Sequence, residues 1–340
     1  MGFHPNGPET SLQDRFGRTI EYLRLSVTDR CNLRCLYCMP DEGVDSIGHN
    51  RVMSYEEMGR VAAAAVRLGV RKIRVTGGEP LVRRGLVNFI RTLADLPGSP
   101  EVVLTTNGLL LAEHAGALKA AGLSRVNVSL DTLHEERFKR ITRRDGLIQV
   151  LAGLEAAKDV GLTPIKVNMV PIRGFNEDEI ADFARLTLNR RCDVRFIEFM
   201  PVRDDLGFNA DQRISEDEIL DQLEKVGELL SVENSNGALD GPARMYRYPD
   251  GQGQIGIITA VSRHFCGSCN RLRLTADGRL RPCLMSDDEI DLLAGLRSDA
   301  FSAARIEELL LEAANAKPAG HHLEAGEKPL RCRTMKDIGG

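Results

Sequence analysis

Three cysteines stand together in Cys31-Asn32-Leu33-Arg34-Cys35-Leu36-Tyr37-Cys38, a segment that follows the strand-like run 23–28. The spacing C-x3-C-x2-C on one short loop lets all three thiolates turn toward the same point. Three thiolates on a [4Fe-4S] cluster leave one iron open to another ligand, and an open metal position is typical of catalytic centres rather than structural ones. The segment therefore predicts a reactive iron–sulfur cluster.

Two other interpretations of this segment are weaker. Zinc takes four ligands, whereas the nearest histidines are His4 and His49. A disulfide would leave one of the three cysteines over, and residues 1–18 lack the apolar core of a secretory leader. The cluster remains the preferred interpretation.

The same motif resembles that of the radical S-adenosylmethionine (SAM) superfamily, CxxxCxxC with an aromatic residue before the last cysteine. Tyr37 fills that place. The resemblance implies that Cys31, Cys35 and Cys38 hold a cluster to which SAM binds, and that Tyr37 contacts SAM.

Composition sets limits on the function. The 340 residues are 42% hydrophobic and 28% charged, as in ordinary globular proteins of one or two domains. No apolar run approaches the ~20 residues that cross a bilayer, so we expect a cytoplasmic protein with no membrane contact, where ligand roles for its eight cysteines are favoured over disulfides. The net charge of -4 argues against a nucleic-acid partner.

Strand-like and helix-like segments alternate up to about residue 200, as in repeated βα units. The predicted strands are 23–28, 72–76, 101–105, 125–130, 165–170 and 194–199. Six strands are too few for a closed eight-stranded barrel, so the predicted fold is α/β, a partial (β/α)6 TIM-type barrel. In such barrels the chemistry lies on the loops that follow the strands. Polar and glycine residues occupy those loops here: Gly77-Gly78-Glu79-Pro80, Thr105-Thr106-Asn107-Gly108, Ser129, Asp131, Asn168 and Met200.

The rhythm breaks after Pro201, where a polar link, one helix and a glycine-rich stretch follow. We predict an N-terminal tail at 1–17, the partial barrel at 18–215, and a C-terminal region at 216–340 that closes the barrel.

A second set of cysteines, Cys266, Cys269 and Cys283, has the spacing C-x2-C-x13-C. A second three-cysteine cluster is the preferred interpretation, and a zinc site that recruits His264 is the alternative. Arg271 and Arg273 lie between these cysteines on a strand-like run, where residues two apart face the same side. Two guanidiniums on one face can grip phosphate oxygens, although a solvated charged face is the usual role of isolated arginines.

Two three-cysteine sets, Arg-x-Arg inside the second, and a terminal Gly339-Gly340 together resemble the GTP 3',8-cyclase family of molybdenum-cofactor biosynthesis. The resemblance covers residues 16–340. It implies two [4Fe-4S] clusters, on Cys31, Cys35 and Cys38 and on Cys266, Cys269 and Cys283, with SAM as cofactor. The implied activity converts GTP to (8S)-3',8-cyclo-7,8-dihydroguanosine 5'-triphosphate via a 5'-deoxyadenosyl radical. An electron donor, a homodimer, and transfer of the product to the cyclic pyranopterin monophosphate synthase are also implied.

The resemblance assigns site residues as well. SAM contacts are expected from Tyr37, Gly78, Glu79, Ser129 and Met200. GTP contacts are expected from Arg24, Arg74, Thr105, Lys166, Arg271 and Arg273. Catalytic roles fall to Arg271, Arg273, Gly339 and Gly340. Structural or incidental roles are expected for Cys192, Cys332, His321 and His322.

Arg24, Arg74 and Lys166 each interrupt an otherwise apolar predicted strand. A buried cation is costly unless it is paired, so a bound triphosphate would explain them, whereas strand cations that face the surface are the alternative.

Two rival functions remain open at this stage. A peptide-modifying radical SAM enzyme with an auxiliary cluster is one, although such enzymes commonly have more than three cysteines after the barrel. A zinc-binding interaction module without catalysis is the other.

Overall fold

A single twelve-stranded sheet forms the centre of the protein. The structure, a computed structural model, describes residues 11–43, 46–200, 210–233, 241–298, 302–321 and 333–339, so the predictions for Gly340, Cys332 and His322 lie outside the described residues. The strands are β1 (Tyr22–Ser26), β2 (Lys72–Thr76), β3 (Glu101–Thr106), β4 (Arg125–Ser129), β5 (Ile165–Met169), β6 (Cys192–Ile197), β7 (Leu230–Val232), β8 (Arg244–Arg247), β9 (Ile255–Ile258), β10 (Arg271–Leu274), β11 (Arg279–Arg281) and β12 (Ile290–Asp291).

The strand order is β12-β11-β10-β1-β2-β3-β4-β5-β6-β9-β8-β7. All neighbours from β10 to β9 are parallel, and the outer strands on both sides are antiparallel. The six predicted strands are confirmed as the centre of a partial barrel. The C-terminal part of the chain adds one parallel strand at each edge, β10 beside β1 and β9 beside β6. Among the described residues, β12 and β7 share no ladder, so the sheet does not close on itself.

Helices connect the strands. They are α1 (Tyr55–Arg67), α2 (Leu86–Ala94), α3 (Leu111–Ala120), α4 (Glu135–Thr142), α5 (Leu147–Asp159), α6 (Ile180–Asn189), α7 (Glu216–Glu224), α8 (Leu293–Leu296), α9 (Ala303–Asn315) and α10 (Met335–Ile338). Capping boxes begin α1 at Ser54 and α7 at Ser215, because each serine accepts from the backbone three residues on and a glutamate side chain accepts in return. In the described ranges, none of these helices has both the length and the apolarity needed to cross a bilayer.

The parallel strands alternate apolar and polar side chains, which divides the sheet into two faces. In β1, Leu23 and Leu25 are buried in the main hydrophobic core, whereas Tyr22 and Arg24 line the interior of the barrel. Strands β2, β4, β5 and β10 repeat this pattern, with Ile73, Val126, Val167 and Leu272 in the core. Most TIM barrels fill their interior with branched apolar residues. A polar interior instead leaves a chamber that suits a charged ligand.

The glycine-rich stretch near residues 241–256 contains two strands, β8 and β9, that the sequence pattern did not predict. Gly256 pairs with Arg195 of β6, and a Cβ on Gly256 would lie 3.0 Å from the Cβ of Ala243. Glycine there makes room for the neighbouring side chains. It also interrupts the alternating pattern by which strands are recognised.

Candidate active site

One chamber of about 380 Å³ occupies the interior of the barrel and its upper rim. Nearly all of the predicted site residues line it, although they are far apart in the sequence. Those in its wall are Arg24, Cys31, Cys35, Tyr37, Cys38, Arg74, Gly78, Thr105, Ser129, Lys166, Met200, Cys266, Cys269, Arg271, Arg273 and Cys283. Both cysteine sets therefore face the same space.

The first cysteine loop follows β1 and is shaped by its own backbone. The amides of Cys38 and Met39 donate to the carbonyl of Cys35, at 3.0 and 3.1 Å, which closes a tight turn. The amide of Leu33 donates to Sγ of Cys31 at 3.4 Å. Burial raises the pKa of the Cys35 thiol well above its usual value and that of Cys38 to about 12.

Gly77 and Gly78 pack against the backbone of residues 28–30, which leads into this loop. The amide of Gly78 donates to the carbonyl of Thr28 at 2.7 Å, and a Cβ on Gly78 would lie 2.4 Å from the carbonyl oxygen of Arg30. A Cβ on Gly77 would lie 2.5 Å from the carbonyl oxygen of Thr28. Both glycines are needed because the backbone leading to the cysteines crosses directly over them.

Glu79 is 1% exposed and does not line the chamber. Its carboxylate accepts from the Thr106 hydroxyl at 2.8 Å and from the amides of Asn107 and Leu81 at 2.6 and 3.0 Å. Burial raises the pKa of this carboxyl to about 7. Glu79 thus ties the loop after β2 to the loop after β3, and its predicted SAM contact stays a prediction.

The other residues assigned to SAM lie around the first loop. Tyr37 donates its hydroxyl to Asp131 at 2.5 Å, and the amide of Val170 donates to the other oxygen of Asp131 at 2.9 Å. Ser129 ends β4 at the chamber rim. Met200 packs with Leu284, Met335 and Ile338.

The second cysteine set is assembled by the hairpin of β10 and β11. Cys266 and Cys269 precede β10, and Cys283 follows β11, so the antiparallel pairing of Arg273 with Arg281 returns the chain to the first two cysteines. The amide of Cys269 donates to the carbonyl of Cys266 at 3.1 Å, and the amide of Met285 donates to Sγ of Cys283 at 3.4 Å.

The charges around the second set differ from those around the first. Burial opposes ionisation of Cys269, but the charges of Lys317 and Arg271 lower the pKa of this thiol below its usual value. Lys317 is 2% exposed and was not predicted from the sequence. The surroundings of Cys269 therefore favour a thiolate.

Both sets fit an iron–sulfur cluster by the chemistry of their donors. Each brings three thiols to the chamber wall, and in each a backbone amide already donates to a sulfur. Cluster thiolates each bind a different iron and do not converge on one ion. Within the described ranges, no three His, Cys, Asp or Glu side chains are gathered around a single metal position.

Cations line the chamber between the two sets. The register aligns Arg24 with Arg273 on one side and Arg74 on the other, so three guanidiniums enter the chamber at one level. Arg74 donates to the Thr105 hydroxyl at 2.8 Å and to the Tyr22 hydroxyl. Nη1 of Arg273 is buried and has no hydrogen-bond partner among the described residues.

These cations repel one another. Burial and then the charge of Arg273 lower the pKa of Arg24 well below its usual value, and burial and then Arg195 lower that of Lys166 to about 7. Burial alone would raise the pKa of Tyr22, but the charges led by Arg74 and Arg24 lower it to about 7. An anion in this chamber would relieve the repulsion.

Five further cations in the wall were missed by the sequence analysis: Lys72, Arg125, Arg195, Lys317 and Lys336. The first three occupy inward positions of β2, β4 and β6, and the alternation that pointed to Arg74 and Lys166 could have found them. Lys72 and Arg125 share Glu101, at 2.9 and 2.5 Å. Lys317 gave no such signal, because it follows a helix.

The C-terminal segment also reaches the chamber. The carbonyl of Gly339 accepts from Nη2 of Arg24 at 3.2 Å. Gly339 has φ +80, and a Cβ there would lie 2.8 Å from the Cβ of Ser26 and 3.0 Å from Cγ2 of Thr76. Glycine is therefore required both by the backbone and by the close approach to β1 and β2.

Two residues expected to be structural or incidental lie at different places. His321 lines the chamber beside the second set, and its Nε2 bonds the carbonyl of Ala260 at 2.7 Å. Cys192 is buried at the start of β6, and its thiol approaches the carbonyl of Leu186 at 3.7 Å.

Two family descriptions match consecutive parts of the chain. Residues 25–187 match the Radical SAM superfamily, and residues 192–323 match Molybdenum Cofactor Synthesis C. The first match contains the first cysteine set, and the second contains the other.

Curated relatives match almost the whole chain. Proteins named GTP 3',8-cyclase are 49% identical in Pelotomaculum thermopropionicum, 50% in Peptoclostridium acidaminophilum and 48% in Geobacter sulfurreducens. Each alignment covers 97% of this chain and 98 to 100% of the relative.

A solved structure shows the same fold at low sequence identity. SuiB of Streptococcus suis, in a crystal structure with S-adenosylmethionine bound, is 13% identical with a TM-score of 0.60, and the match covers 85% of this chain and 68% of SuiB. At this identity the likeness shows the fold alone.

Proposed function

The chain belongs to the GTP 3',8-cyclase family of the radical SAM superfamily, which carries out the first step of molybdenum-cofactor biosynthesis, and we propose how its own residues perform that reaction. GTP is the substrate, and SAM with an iron–sulfur cluster is the cofactor. The product would be (8S)-3',8-cyclo-7,8-dihydroguanosine 5'-triphosphate. The observation that carries the proposal is the single chamber whose wall holds two cysteine sets with mutually repelling cations between them.

Cys31, Cys35 and Cys38 would hold the cluster that binds SAM, and Cys266, Cys269 and Cys283 would hold a second cluster. When bound, these groups would supply a 5'-deoxyadenosyl radical at the first set and an open iron for the guanine at the second. The amides of Leu33 and Met285 orient one sulfur in each set. Tyr37, Gly78, Ser129 and Met200 would position SAM at the first set.

The cations between the sets would bind the triphosphate. Arg271 and Arg273 project from β10 toward Arg24 and Arg74, and guanidiniums can grip phosphate oxygens in pairs. Lys166 and Thr105 extend this surface along β5 and β3. Nη1 of Arg273 has a donor available for an incoming oxygen.

Binding at both ends would fix GTP between the two sets. A fixed ribose presents its 3' hydrogen to the radical, and a fixed guanine presents C8 to the resulting C3' radical. The chamber must also exclude water and reductant from these species. The hydrogen bond from Arg24 to the Gly339 carbonyl brings the C-terminal segment to the chamber. We propose that Gly339 and Gly340 there help to exclude water and reductant.

The partners beyond GTP stay predictions. An electron donor must supply single electrons, and the product would pass to the cyclic pyranopterin monophosphate synthase. We also predict a homodimer, which sedimentation of the purified protein would test.

An anaerobic assay tests the function. Reduced protein with SAM and GTP should form 5'-deoxyadenosine together with the cyclised nucleotide, and ATP should not replace GTP. Cleavage of SAM while GTP remains unchanged would contradict the assignment of substrate.

A further inference from the structure

Lys317 is a buried cation beside the second cysteine set, and it belongs to none of the roles assigned above. It follows α9, which packs against α1 on the outside of the barrel, yet its side chain enters the chamber wall at 2% exposure. A lysine is seldom so deeply buried unless its charge is used.

The ammonium of Lys317 joins the two halves of that set. It donates to the carbonyl of Arg271 at 2.8 Å and to the carbonyl of Pro282 at 2.8 Å. Arg271 lies two residues after Cys269, and Pro282 immediately precedes Cys283. The charge of Lys317 also lowers the pKa of the Cys269 thiol. Two of its three donors are therefore directed at the cysteine-bearing segments, and its charge acts on the thiol beside them.

Both oxygen partners of Lys317 are neutral carbonyls, which do not balance a buried positive charge. The thiolates of the neighbouring cysteines, Cys269 among them, can supply the balancing negative charge. A lysine in this position is a counter-charge for whatever the thiolates hold.

Arg18 holds the same segment from the other side. Its guanidinium donates to the carbonyl of Cys266 at 2.6 Å and to the carbonyl of Pro318 at 2.7 Å. Unlike Lys317, Arg18 has its own carboxylate, Asp14, at 2.5 Å. Arg18 thus holds the Cys266 segment in place without adding net charge. Lys317 holds the Cys269 and Cys283 segments in place and also adds a positive charge.

We propose that Lys317 is a positioning residue of the second cluster, which joins the Cys269 and Cys283 segments and raises the reduction potential of the cluster with its charge. The potential of an iron–sulfur cluster depends on nearby charge and on hydrogen bonds to its sulfurs. A fixed ammonium stabilises the reduced form, which carries one more negative charge, over the oxidised form. The proposal rests on the proposed second cluster.

The test uses the full-length chain with Cys31→Ala, Cys35→Ala and Cys38→Ala, so that only the second set can hold iron. Lys317→Met, Lys317→Arg and Lys119→Met are each added to this background. Lys119 is a matched control, because its ammonium also donates to a carbonyl, that of Gly161 at 2.8 Å, but on the exposed surface. Iron content and the midpoint potential, followed by electron paramagnetic resonance during titration with dithionite, are the measurements.

Lys317→Met should lower iron occupancy or shift the reduction equilibrium at least about tenfold toward the oxidised cluster, about 59 mV for one electron. Lys317→Arg should retain most of both, and Lys119→Met should equal the background. Unchanged iron and potential in Lys317→Met would overturn the proposal.

Two further outcomes are distinguishable. Lys317→Met in the otherwise wild-type chain should keep the first cluster, and loss of that cluster too would show a general folding role and overturn the assignment. If the background protein with Lys317 intact holds no iron, the proposed second cluster itself fails.

Discussion

The two cysteine sets share a chamber but differ in the charged groups that act on one thiol of each. Burial raises the pKa of each of the first three thiols, and the nearby carboxylates of Glu79 and Asp131 raise those of Cys31 and Cys35 further. At the second set burial likewise raises the pKa of Cys266, whereas Lys317 and Arg271 lower that of Cys269 despite its burial. The two sets therefore differ at Cys269, where Lys317 and Arg271 lie in the cationic part of the chamber that we propose binds GTP.

Removing each cysteine set in turn should separate SAM cleavage from GTP cyclisation. We expect these variants to lose more activity than any other variant proposed below. Cys35→Ala should abolish 5'-deoxyadenosine formation, because no other described group replaces a cluster ligand. The triple change Cys266→Ala, Cys269→Ala and Cys283→Ala should keep SAM cleavage but abolish cyclisation of GTP. Chromatography of both products measures this. Cys192→Ala, a buried cysteine away from the chamber, is the control and should retain both activities. SAM cleavage by Cys35→Ala would refute the assignment of the first set.

The C-terminal segment connects the two sets, and breaking its anchor should have the next largest effect. Arg333 pairs with Asp277 at 3.0 Å and with Glu289 at 2.5 Å, next to the hairpin of the second set, while the backbone of Lys336 hydrogen-bonds Cys38 of the first. Arg333→Ala leaves the buried carboxylate of Asp277 without its cation, whereas Glu289 keeps Arg281, and the loss at Asp277 costs about 3–5 kcal/mol. We expect product formation to fall about 10²-fold as Gly339 leaves Arg24.

Hydrogen exchange over residues 334–339 should accelerate in Arg333→Ala. The control is Arg305→Ala, which removes an exposed pair with Glu308. Normal exchange and normal turnover in Arg333→Ala would mean that the segment is held by other contacts.

Removing a cation beside the second set should weaken the binding of GTP and leave the binding of SAM unchanged. Hydrogen bonds to charged groups contribute about 1.5–3 kcal/mol, so Arg273→Ala should raise the Kd for GTP about 10- to 100-fold. Calorimetry with each ligand measures this. Arg67→Ala, an exposed arginine paired with Glu307, should change neither value. If Arg273→Ala weakened the binding of SAM and of GTP equally, the proposal that they bind to different parts of the chamber would be wrong.

A smaller effect is expected from pH. The pKa of Lys166 is lowered to about 7 by burial and by the cations Arg195, Arg125 and Lys72, against the opposing charge of Asp193. A bound triphosphate would raise this pKa, so binding takes up a proton, and affinity should fall as pH rises above about 7. Tyr22, with a pKa of about 7, shifts in the same direction.

One linked proton changes affinity by at most about tenfold per pH unit. Lys166→Met should flatten part of this slope, whereas the exposed Lys158→Met should not; ionisation of GTP itself is common to all variants. An identical slope in Lys166→Met would exclude Lys166 from the titration.

The sequence predicted the barrel and its cysteines because both depend on local pattern. Strand β2 was predicted at its observed limits, 72–76. Strand β9 was missed because Gly256 interrupts its alternation, and β8 is only four residues long. That β10 and β9 extend the sheet on both sides could not be read from local pattern, since the pairing of β1 with β10 joins residues about 250 positions apart.

Site residues that belong to a sequence motif could be predicted. Contacts that form only when distant segments pack together could not. Arg24 and Arg273 were chosen by resemblance, and their convergence needed the register of two parallel strands. Glu79 was assigned to SAM by resemblance and that contact stays a prediction, whereas its hydrogen bonds to Thr106, Asn107 and Leu81 became visible only in the structure. Lys317 and Arg18 act through carbonyls of distant segments, a contact that leaves no mark in the sequence.

The most direct test of the central claim is anaerobic analysis of iron, sulfide and zinc in the wild-type protein and in the Cys266→Ala, Cys269→Ala, Cys283→Ala variant. Two independent clusters predict about eight irons per chain, which fall to about four in the variant without loss of the first cluster. About four irons and one zinc in the wild type, with the zinc lost in the variant, would contradict the claim and make the second set a structural site.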